Sequence, residues 1–165
     1  MERFTLYFFV GFMLLFGGCY SFRGIAIETD VKTYYVNPFL DQTIGQVPSL
    51  AADFTEKLNV KIRNESPLVQ TNTDPHVEFS GSITRYEVTA EAPKPGEDVA
   101  FNRLTISVRV EYTNNLHEES NKSFTETWFS EFPSDQNLLD VQDEKIEEIT
   151  DQLVENIFTK AFTNW

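Results

Sequence analysis

The stretch Asn102–Asn114 reads NRLTISVRVEYTN and is the part of the sequence that decides the fold. Apolar residues occupy every second position from Leu104 to Tyr112, and threonine, serine, arginine and glutamate stand between them. Because successive side chains of a β-strand point to opposite faces, this alternation predicts a strand with one buried face and one polar face. Such a strand is typical of an antiparallel sheet that is covered on one side.

A second strand pattern, Val77–Val88, precedes this stretch and changes phase along its length. The apolar residues up to Ile83 share one face, whereas Tyr86 and Val88 fall on the opposite parity. A β-bulge inserts one residue into a strand and can return later side chains to the buried face. We therefore expect a bulge near Thr84-Arg85.

A third strand, Ser123–Phe132, follows, and we expect its Trp128 to face the core together with Val108. A turn over Ala92–Asp98 and a polar loop over Asn114–Lys122 separate the three strands. Connections this short join neighbouring strands in opposite directions, so the sequence predicts an antiparallel meander.

The remaining elements are one further strand and two helices. Gly24–Val36 is rich in β-branched and aromatic residues and is predicted as a strand, followed by a loop over Asp41–Gly45. A helix begins near Pro48 and ends over Asn64–Pro67, and its apolar stripe consists of Leu50, Phe54, Leu58 and Ile62. A second helix covers Asp140–Phe162. The order β-α-β-β-β-α predicts an α+β fold, a two-layer sandwich in which two helices pack on one face of a four-stranded mixed sheet.

Composition and charge limit the classes of partner and of functional site that the protein can have. The chain has 165 residues, 26 of them acidic and 13 basic, which gives a net charge of −13 and disfavours nucleic acid as a partner. His76 and His117 are isolated from other metal-ligating residues in the sequence. No nucleophile elbow and no phosphate-binding glycine loop can be found. We therefore predict a protein without catalytic residues or a metal site.

The N-terminus has the pattern of a secretory signal peptide. Arg3 precedes the apolar run Phe4–Phe16, and Gly17 and Gly18 are small residues of the kind found at a cleavage site. The alternative is a retained membrane-spanning helix over Phe4–Phe22, which has nearly the required length. Its glycine- and serine-containing end is poor material for such a helix, so residues 1–18 are predicted to be a cleaved signal.

Cys19 is the only cysteine of the chain and therefore cannot form a disulfide within it. From the residue alone, the thiol could pair between chains, react, pack as a small apolar group or be modified. Its position directly after the apolar run and two glycines resembles the lipobox of bacterial lipoproteins. That resemblance implies a covalent diacylglycerol and N-acyl lipid at Cys19, no other cofactor, a linker over 19–23 and a single mature domain over 19–165.

The chain also resembles the LptE family of lipopolysaccharide-assembly lipoproteins in its Bacteroidetes form. The resemblance rests on GGCYSFRG at Gly17–Gly24, YYVNPF at Tyr34–Phe39, LAADFTEKLNVKI at Leu50–Ile62, VEFSGSITRYEVTAEAP at Val77–Pro93, and NRLTISVRVEYTN at Asn102–Asn114. It implies an outer-membrane protein, anchored by its lipid on the periplasmic side, that sits in the lumen of the β-barrel LptD. Members assist the folding of that barrel and help to pass lipopolysaccharide to the cell surface.

Three arginines are the candidates for lipopolysaccharide contact that the resemblance suggests. Arg85, Arg103 and Arg109 lie on or beside the central predicted strands, and the alternative is that they are ordinary solvent-facing side chains. Two other classes of function stay open at this point: a lipid-anchored binding module, surface-exposed and directed at glycans, and a lipid-anchored enzyme. No acidic residue precedes Glu28 after the cysteine, which favours the periplasmic face over surface export.

Replacing Cys19 with alanine is expected to abolish lipidation and to leave an unprocessed precursor, because the sulfur is the predicted acceptor of the diacylglycerol. Metabolic labelling with a clickable fatty acid measures this directly, and Ser21→Ala serves as the matched control. Undiminished labelling of Cys19→Ala would show that the lipid is not on this residue.

Overall fold

The computed structural model describes residues 27–44, 47–92 and 100–163. Its strands are β1 (Thr33–Val36), β2 (Leu40–Asp41), β3 (Val69–Gln70), β4 (Val77–Glu91), β5 (Phe101–Asn114) and β6 (Lys122–Pro133), and its helices are α1 (Leu50–Glu65) and α2 (Leu138–Phe162). The predicted α+β class is confirmed. The predicted signal peptide, the predicted lipidation site Cys19 and the predicted linker over 19–23 lie outside the described residues.

The strands form one mixed sheet in the order β3-β1-β4-β5-β6, with β2 paired to β4 beyond the end of β1. β4, β5 and β6 are the predicted antiparallel meander, whereas β1 and β2 pair with β4, and β3 pairs with β1, in parallel. The predicted count of four strands is therefore corrected to six. β2 and β3 have two residues each, which is too short for any alternation to be visible in the sequence.

The first strand is also shorter than predicted. Strand pairing begins only at Thr33, whereas the sequence predicted a strand from Gly24. Thr29 and Asp30 form a turn, and the backbone N–H of Val31 closes it by donating to the carbonyl of Glu28 at 3.1 Å. This turn interrupts the extended conformation.

The predicted bulge is present in β4. Ile83 lies opposite Val108 of β5, and the next registered pair is Arg85 with Ser107, so Thr84 is the extra residue. The insertion changes the parity of the strand and places Tyr86 on the same face as Ile83. The buried face of β4 therefore continues beyond the bulge.

The core lies between one face of the sheet and the two helices. On β5 the side chains of Leu104, Ile106, Val108 and Val110 are 0% exposed. The helices supply Phe54, Leu58 and Ile62 from α1 and Ile149, Leu153 and Ile157 from α2. Full burial of each such side chain contributes about 1.5–3 kcal/mol relative to leaving it exposed. Among the described residues, no helix combines the length and the apolar character needed to cross a membrane.

Trp128 has the predicted parity but is not buried. It pairs with the fully buried Ile106 across the β5–β6 ladder, and yet 38% of its surface is exposed. β6 is the last strand of the sheet, so a large side chain there has a neighbouring strand on one side only. Trp128 is thus a partly covered residue at the margin of the core.

Gly81 of β4 lies directly against the backbone of β5 and against the ring of Phe39, which stands between β1 and β2. A Cβ atom at this position would lie 2.1 Å from the backbone oxygen of Arg109 and 2.6 Å from Cε1 of Phe39. The backbone of a central strand cannot move away from such a contact without disturbing its ladder. Only glycine fits here.

Gly81→Ala is therefore expected to destabilise the protein by about 1–3 kcal/mol, the usual cost of overpacking. Ser80→Ala, the neighbouring position on the polar face, is the control and should change the free energy of unfolding by about 0.5 kcal/mol or less. Urea denaturation followed by circular dichroism measures both. Equal midpoints for the two variants would contradict the close approach.

Candidate functional site on the open face of the sheet

The face of β4, β5 and β6 turned away from the helices is polar, and we call it the open face. It is formed by Glu78, Ser80, Ser82, Arg85, Glu87, Thr89 and Glu91 of β4, by Arg103, Thr105, Ser107, Arg109, Glu111 and Thr113 of β5, and by Ser123, Thr125, Thr127, Phe129 and Glu131 of β6. These residues alternate with the core residues of the same strands. The face runs the whole length of β5, roughly 45 Å at the usual rise of a strand.

Small hydroxyl side chains form the middle of the open face. The hydroxyl groups of Ser107 and Thr127 lie 2.8 Å apart across the β5–β6 ladder. Ser82 donates to the side-chain oxygen of Gln42 at 3.2 Å, and Thr84 donates to the carbonyl of Ser107 at 3.3 Å. Ser82 and Ser107 are buried at this point of the face, whereas Thr84 and Thr127 are exposed, so the middle of the face carries short hydroxyl side chains instead of apolar ones.

The three arginines predicted from the sequence all lie on the open face, but not all of them lie together. Arg109 is registered with Ser82, and Arg85 with Ser107, so Arg85 and Arg109 are diagonal neighbours on adjacent strands. Arg103 lies six residues before Arg109 on β5, which corresponds to roughly 20 Å along the strand. The structure thus groups Arg85 with Arg109 and separates Arg103 from them.

Arg103 is held by carboxylates from both neighbouring strands. One terminal nitrogen of its guanidinium lies 2.7 Å from the Oε1 atom of Glu131 on β6, and the other lies 3.1 Å from that of Glu91 on β4. Its guanidinium also stacks over the ring of Phe129, 4.3 Å from the ring centre. The hydrogen bond to Glu131 is the main cause that raises the pKa of Arg103. Its charge is therefore already balanced.

The guanidinium charges of Arg85 and Arg109 are largely uncompensated by carboxylates of the described residues. The only carboxylate near Arg85 among the described residues is Glu87, at 3.8 Å, and the Arg85 side chain is 57% exposed. Arg109 is exposed and makes no ion pair with any residue in the described part of the chain. Guanidinium groups bind phosphate and carboxylate oxygens through paired N–H donors. This arginine pair, Arg85 with Arg109, is the anion-binding candidate of the open face.

The two histidines have structural partners instead of a shared site. Nδ1 of His76 accepts from the backbone N–H of Lys32 at 3.1 Å. Nε2 of His117 lies 2.9 Å from a carboxylate oxygen of Asp30, and this hydrogen bond lowers the pKa of Asp30. Within residues 27–44, 47–92 and 100–163, no cluster of three histidine, cysteine or acidic side chains is arranged to hold a metal ion. That the protein has neither metal nor catalytic centre stays a prediction.

Comparison with family models identifies the protein family of this chain. The family model described as LptE, lipopolysaccharide-assembly, matches residues 31–161, which is most of the chain. The chain belongs to the LptE family. The matched region includes all strands and helices of the described structure except Phe162, the last residue of α2, and the resemblance inferred from the sequence is confirmed. No curated protein sequence matches significantly.

Solved structures support the fold of this LptE-family chain. A lipoprotein B from Nitrosomonas europaea has a TM-score of 0.54 at 12% identity, covering 88% of this chain and 91% of that one. A hypothetical protein from Chlamydia trachomatis has a TM-score of 0.53 at 12% identity, with coverage of 79% and 97%. A minor lipoprotein from Acinetobacter baumannii has a TM-score of 0.52 at 11% identity, with coverage of 79% and 91%. At such identities the likeness concerns the fold alone.

Sequence reasoning missed the groups that neutralise Arg103 in this LptE-family protein. Glu91, Phe129 and Glu131 come from strands on either side of it, and only the strand register brings them together. No local motif signals that arrangement. The nearest signal in the sequence is that residues 91 and 131 are both glutamates, whose charge is opposite to that of Arg103. Once the two hairpins are aligned, Glu131 is registered with Arg103, and Glu91 is registered with Phe101, two residues before Arg103.

The three arginines are expected to differ in reactivity toward phenylglyoxal, which attacks accessible guanidinium groups. Arg109 and Arg85 should be modified first and Arg103 last, because two carboxylates and an aromatic ring shield Arg103. Mass spectrometry of peptides at increasing reaction times measures the order. Replacing Glu91 and Glu131 together with glutamine should speed the modification of Arg103, and an unchanged or reversed order would contradict the ion pairs.

Proposed function

We propose that this protein is a lipid-anchored plug of an LptD-type β-barrel, which it helps to assemble and through which lipopolysaccharide passes to the cell surface. In this proposal Cys19 carries the diacylglycerol and N-acyl lipid, and the mature domain faces the periplasm at the outer membrane. No catalytic step is involved. The observation that carries the proposal is the open face, a long polar sheet surface that no described segment covers.

The open face has the properties that a barrel lumen requires of its contents. The interior of an outer-membrane barrel is polar, so a protein inside it must present hydrated side chains rather than an apolar patch. The exposed side chains of Arg109, Glu111 and Thr127 meet this condition. Membership in a lipopolysaccharide-assembly family supports lipopolysaccharide as the cargo.

The entry of the chain into the fold is compatible with an anchor at one end. Glu28 accepts from the hydroxyl of Ser120 at 2.9 Å, and Asp30 contacts His117, so the chain enters beside the β5–β6 connection. The β4–β5 connection lies at the opposite end of the same strands. A lipid attached upstream of residue 27 would hold the first end near the membrane and leave the β4–β5 end extended away from it.

Within this function, we assign lipopolysaccharide contact to the arginine pair and not to Arg103. Lipopolysaccharide carries phosphate groups, and Arg85 and Arg109 offer two exposed guanidinium groups on adjacent strands. Arg103 would first have to release Glu91 and Glu131. This is a proposal about the residues that the family resemblance suggested, and it ranks them by the charge that each has available.

Depletion tests the assembly function. Removing the protein should lower the amount of correctly assembled LptD-type barrel and make cells permeable to large hydrophobic antibiotics. The barrel should also co-purify with the protein from detergent-solubilised outer membrane. Unchanged barrel levels and permeability, with no barrel co-purified, would favour the alternative hypothesis that the protein is a lipid-anchored binding module.

Variants test the assigned contact. Arg85→Ala combined with Arg109→Ala should weaken lipopolysaccharide binding about tenfold or more, because each charge-assisted contact contributes about 1.5–3 kcal/mol before solvent screening. Barrel assembly should be unaffected. Arg103→Ala should have a smaller effect, and Arg63→Ala on α1 is the control on the helical side. Equal binding by the double variant and the control would remove the arginine pair from the function.

A further inference from the structure

The outer edge of β4 is only partly paired. β1 pairs with Val77–Phe79 and β2 pairs with Ser82–Ile83, and both strands lie on the side of β4 away from β5. No strand in the described part of the chain pairs with β4 on that side from Arg85 to Glu91. We call residues Arg85–Glu91 of β4 the free edge.

Backbone groups of the free edge point outward without a ladder partner among the described residues. The carbonyl oxygens of Phe79 and Ile83, which are core-facing residues, accept from the N–H groups of Asn37 and Gln42 at 2.8 and 3.0 Å on that side. Directly opposed residues of an antiparallel pair turn their backbone groups both inward or both outward.

The bulge preserves this orientation along the free edge. Tyr86 stands opposite Ile106 as Ile83 stands opposite Val108, and Ile106 and Val108 are two residues apart on the regular strand β5. The backbone N–H and C=O groups of Tyr86, Val88 and Ala90 therefore point away from β5. An edge of this kind is a template for another strand.

We propose that the free edge pairs with the free edge of a second copy of this chain, antiparallel and centred on Val88. Full overlap of the two segments fixes the register. Arg85 then lies opposite Glu91 of the second copy, Tyr86 opposite Ala90, Glu87 opposite Thr89, and Val88 opposite Val88. The core faces of both copies lie on the same side of the joined sheet, and so do their open faces.

The sequence of the free edge is complementary to itself in this register. Two Arg85–Glu91 pairs form, one on each side of the centre, and cross-strand pairs of opposite charge stabilise a sheet. A shift by two residues in either direction places Glu87 opposite Glu87 or opposite Glu91, which is repulsive. A shift by one residue opposes core-facing and open-facing side chains. The fully overlapped register is thus favoured by both charge and face.

The groups involved are exposed in the single chain. Val88, at the centre of the free edge, is 38% exposed. In the proposed dimer it would be covered by Val88 of the second copy. The side chains of Arg85 and Glu91 are 57% and 37% exposed. Glu91 contacts Arg103 within its own chain at 3.1 Å, so in the dimer it would bridge two guanidinium groups.

The two-fold relation has a consequence for the anchored protein. Antiparallel pairing places the ends where the two chains enter the fold on opposite sides of the dimer. Both anchors can reach one membrane only if the strands lie along its surface. We therefore place the dimer before the protein enters a barrel. Until then, edge pairing would prevent the free edge from pairing with other chains and aggregating.

Sedimentation of the full-length lipoprotein in density-matched detergent micelles tests the proposal. The wild-type protein should show a concentration-dependent monomer–dimer equilibrium. Arg85→Glu and Glu91→Arg should each weaken dimerisation about tenfold, because two attractive pairs become repulsive. The double variant Arg85→Glu with Glu91→Arg should restore it. Glu111→Arg, on the open face of β5 and away from the free edge, is the matched control.

Crosslinking gives an independent readout of the register. Val88→Cys should yield a covalent dimer with a short bismaleimide, whereas Ser123→Cys on the other edge of the sheet should not. The protein without an added cysteine controls for Cys19. A wild-type protein that is monomeric at all concentrations would overturn the proposal. So would a double variant that dimerises no better than the single ones, or equal crosslinking at both edges.

Discussion

Burial of one face of β5 is the constraint on which the rest of this structure depends. β5 pairs with β4 over its full length and with β6 over nearly all of it, so its register sets the faces of both neighbours. A slip of one residue on either side would move an apolar set from the core into water. With four apolar side chains of β5 completely buried, such a slip would cost several kcal/mol. The alternation between Leu104 and Tyr112 therefore fixes the meander, and the helices cover the face that it selects.

The polar chemistry of the protein follows from the same constraint. Because most apolar residues of the meander are directed to the helices, the open face consists of serine, threonine, arginine and glutamate, with Phe129 as the exception. Their register then decides which charges meet. Arg103 is placed between two glutamates, whereas Arg85 and Arg109 are placed beside hydroxyl groups. The difference among three arginines of one face is thus a consequence of strand pairing.

Much of this could be predicted from the sequence, and the limits have physical causes. The meander, both helices and even the bulge near Thr84 leave a periodic signal, because each involves many residues with one face buried. β2 and β3 are too short to show a period, and the turn at Thr29 and Asp30 delays to Thr33 the start of a strand that composition alone favoured from Gly24. The exposure of Trp128 depends on its place at the sheet margin. For the site, the identity of the arginines was visible, but the carboxylates around Arg103 come from distant segments.

The acidity of the chain needs to be reconciled with the proposal that the open face binds an anionic ligand. A large share of the negative charge lies on the exposed side of α2, in Asp140, Asp143, Glu144, Glu147, Glu148, Asp151 and Glu155. Part of this charge is compensated locally, because Asp151 contacts Lys57 and Glu155 contacts Lys61 of α1. Glu148 accepts hydrogen bonds from Ser130 and Lys145. The bond from Ser130 is the main cause that lowers the pKa of Glu148.

The sheet and the body of the helix separate those carboxylates from Arg85 and Arg109. A helix with its side chains is about 10 Å across, and charges are screened over about 8 Å at physiological ionic strength. Glu87 and Glu111, on the same face and close along the strands, are therefore the acidic residues that affect the arginine pair most strongly. A protein that is acidic as a whole can in this way keep one face on which two guanidinium groups are exposed, as the proposed contact with an anionic ligand requires.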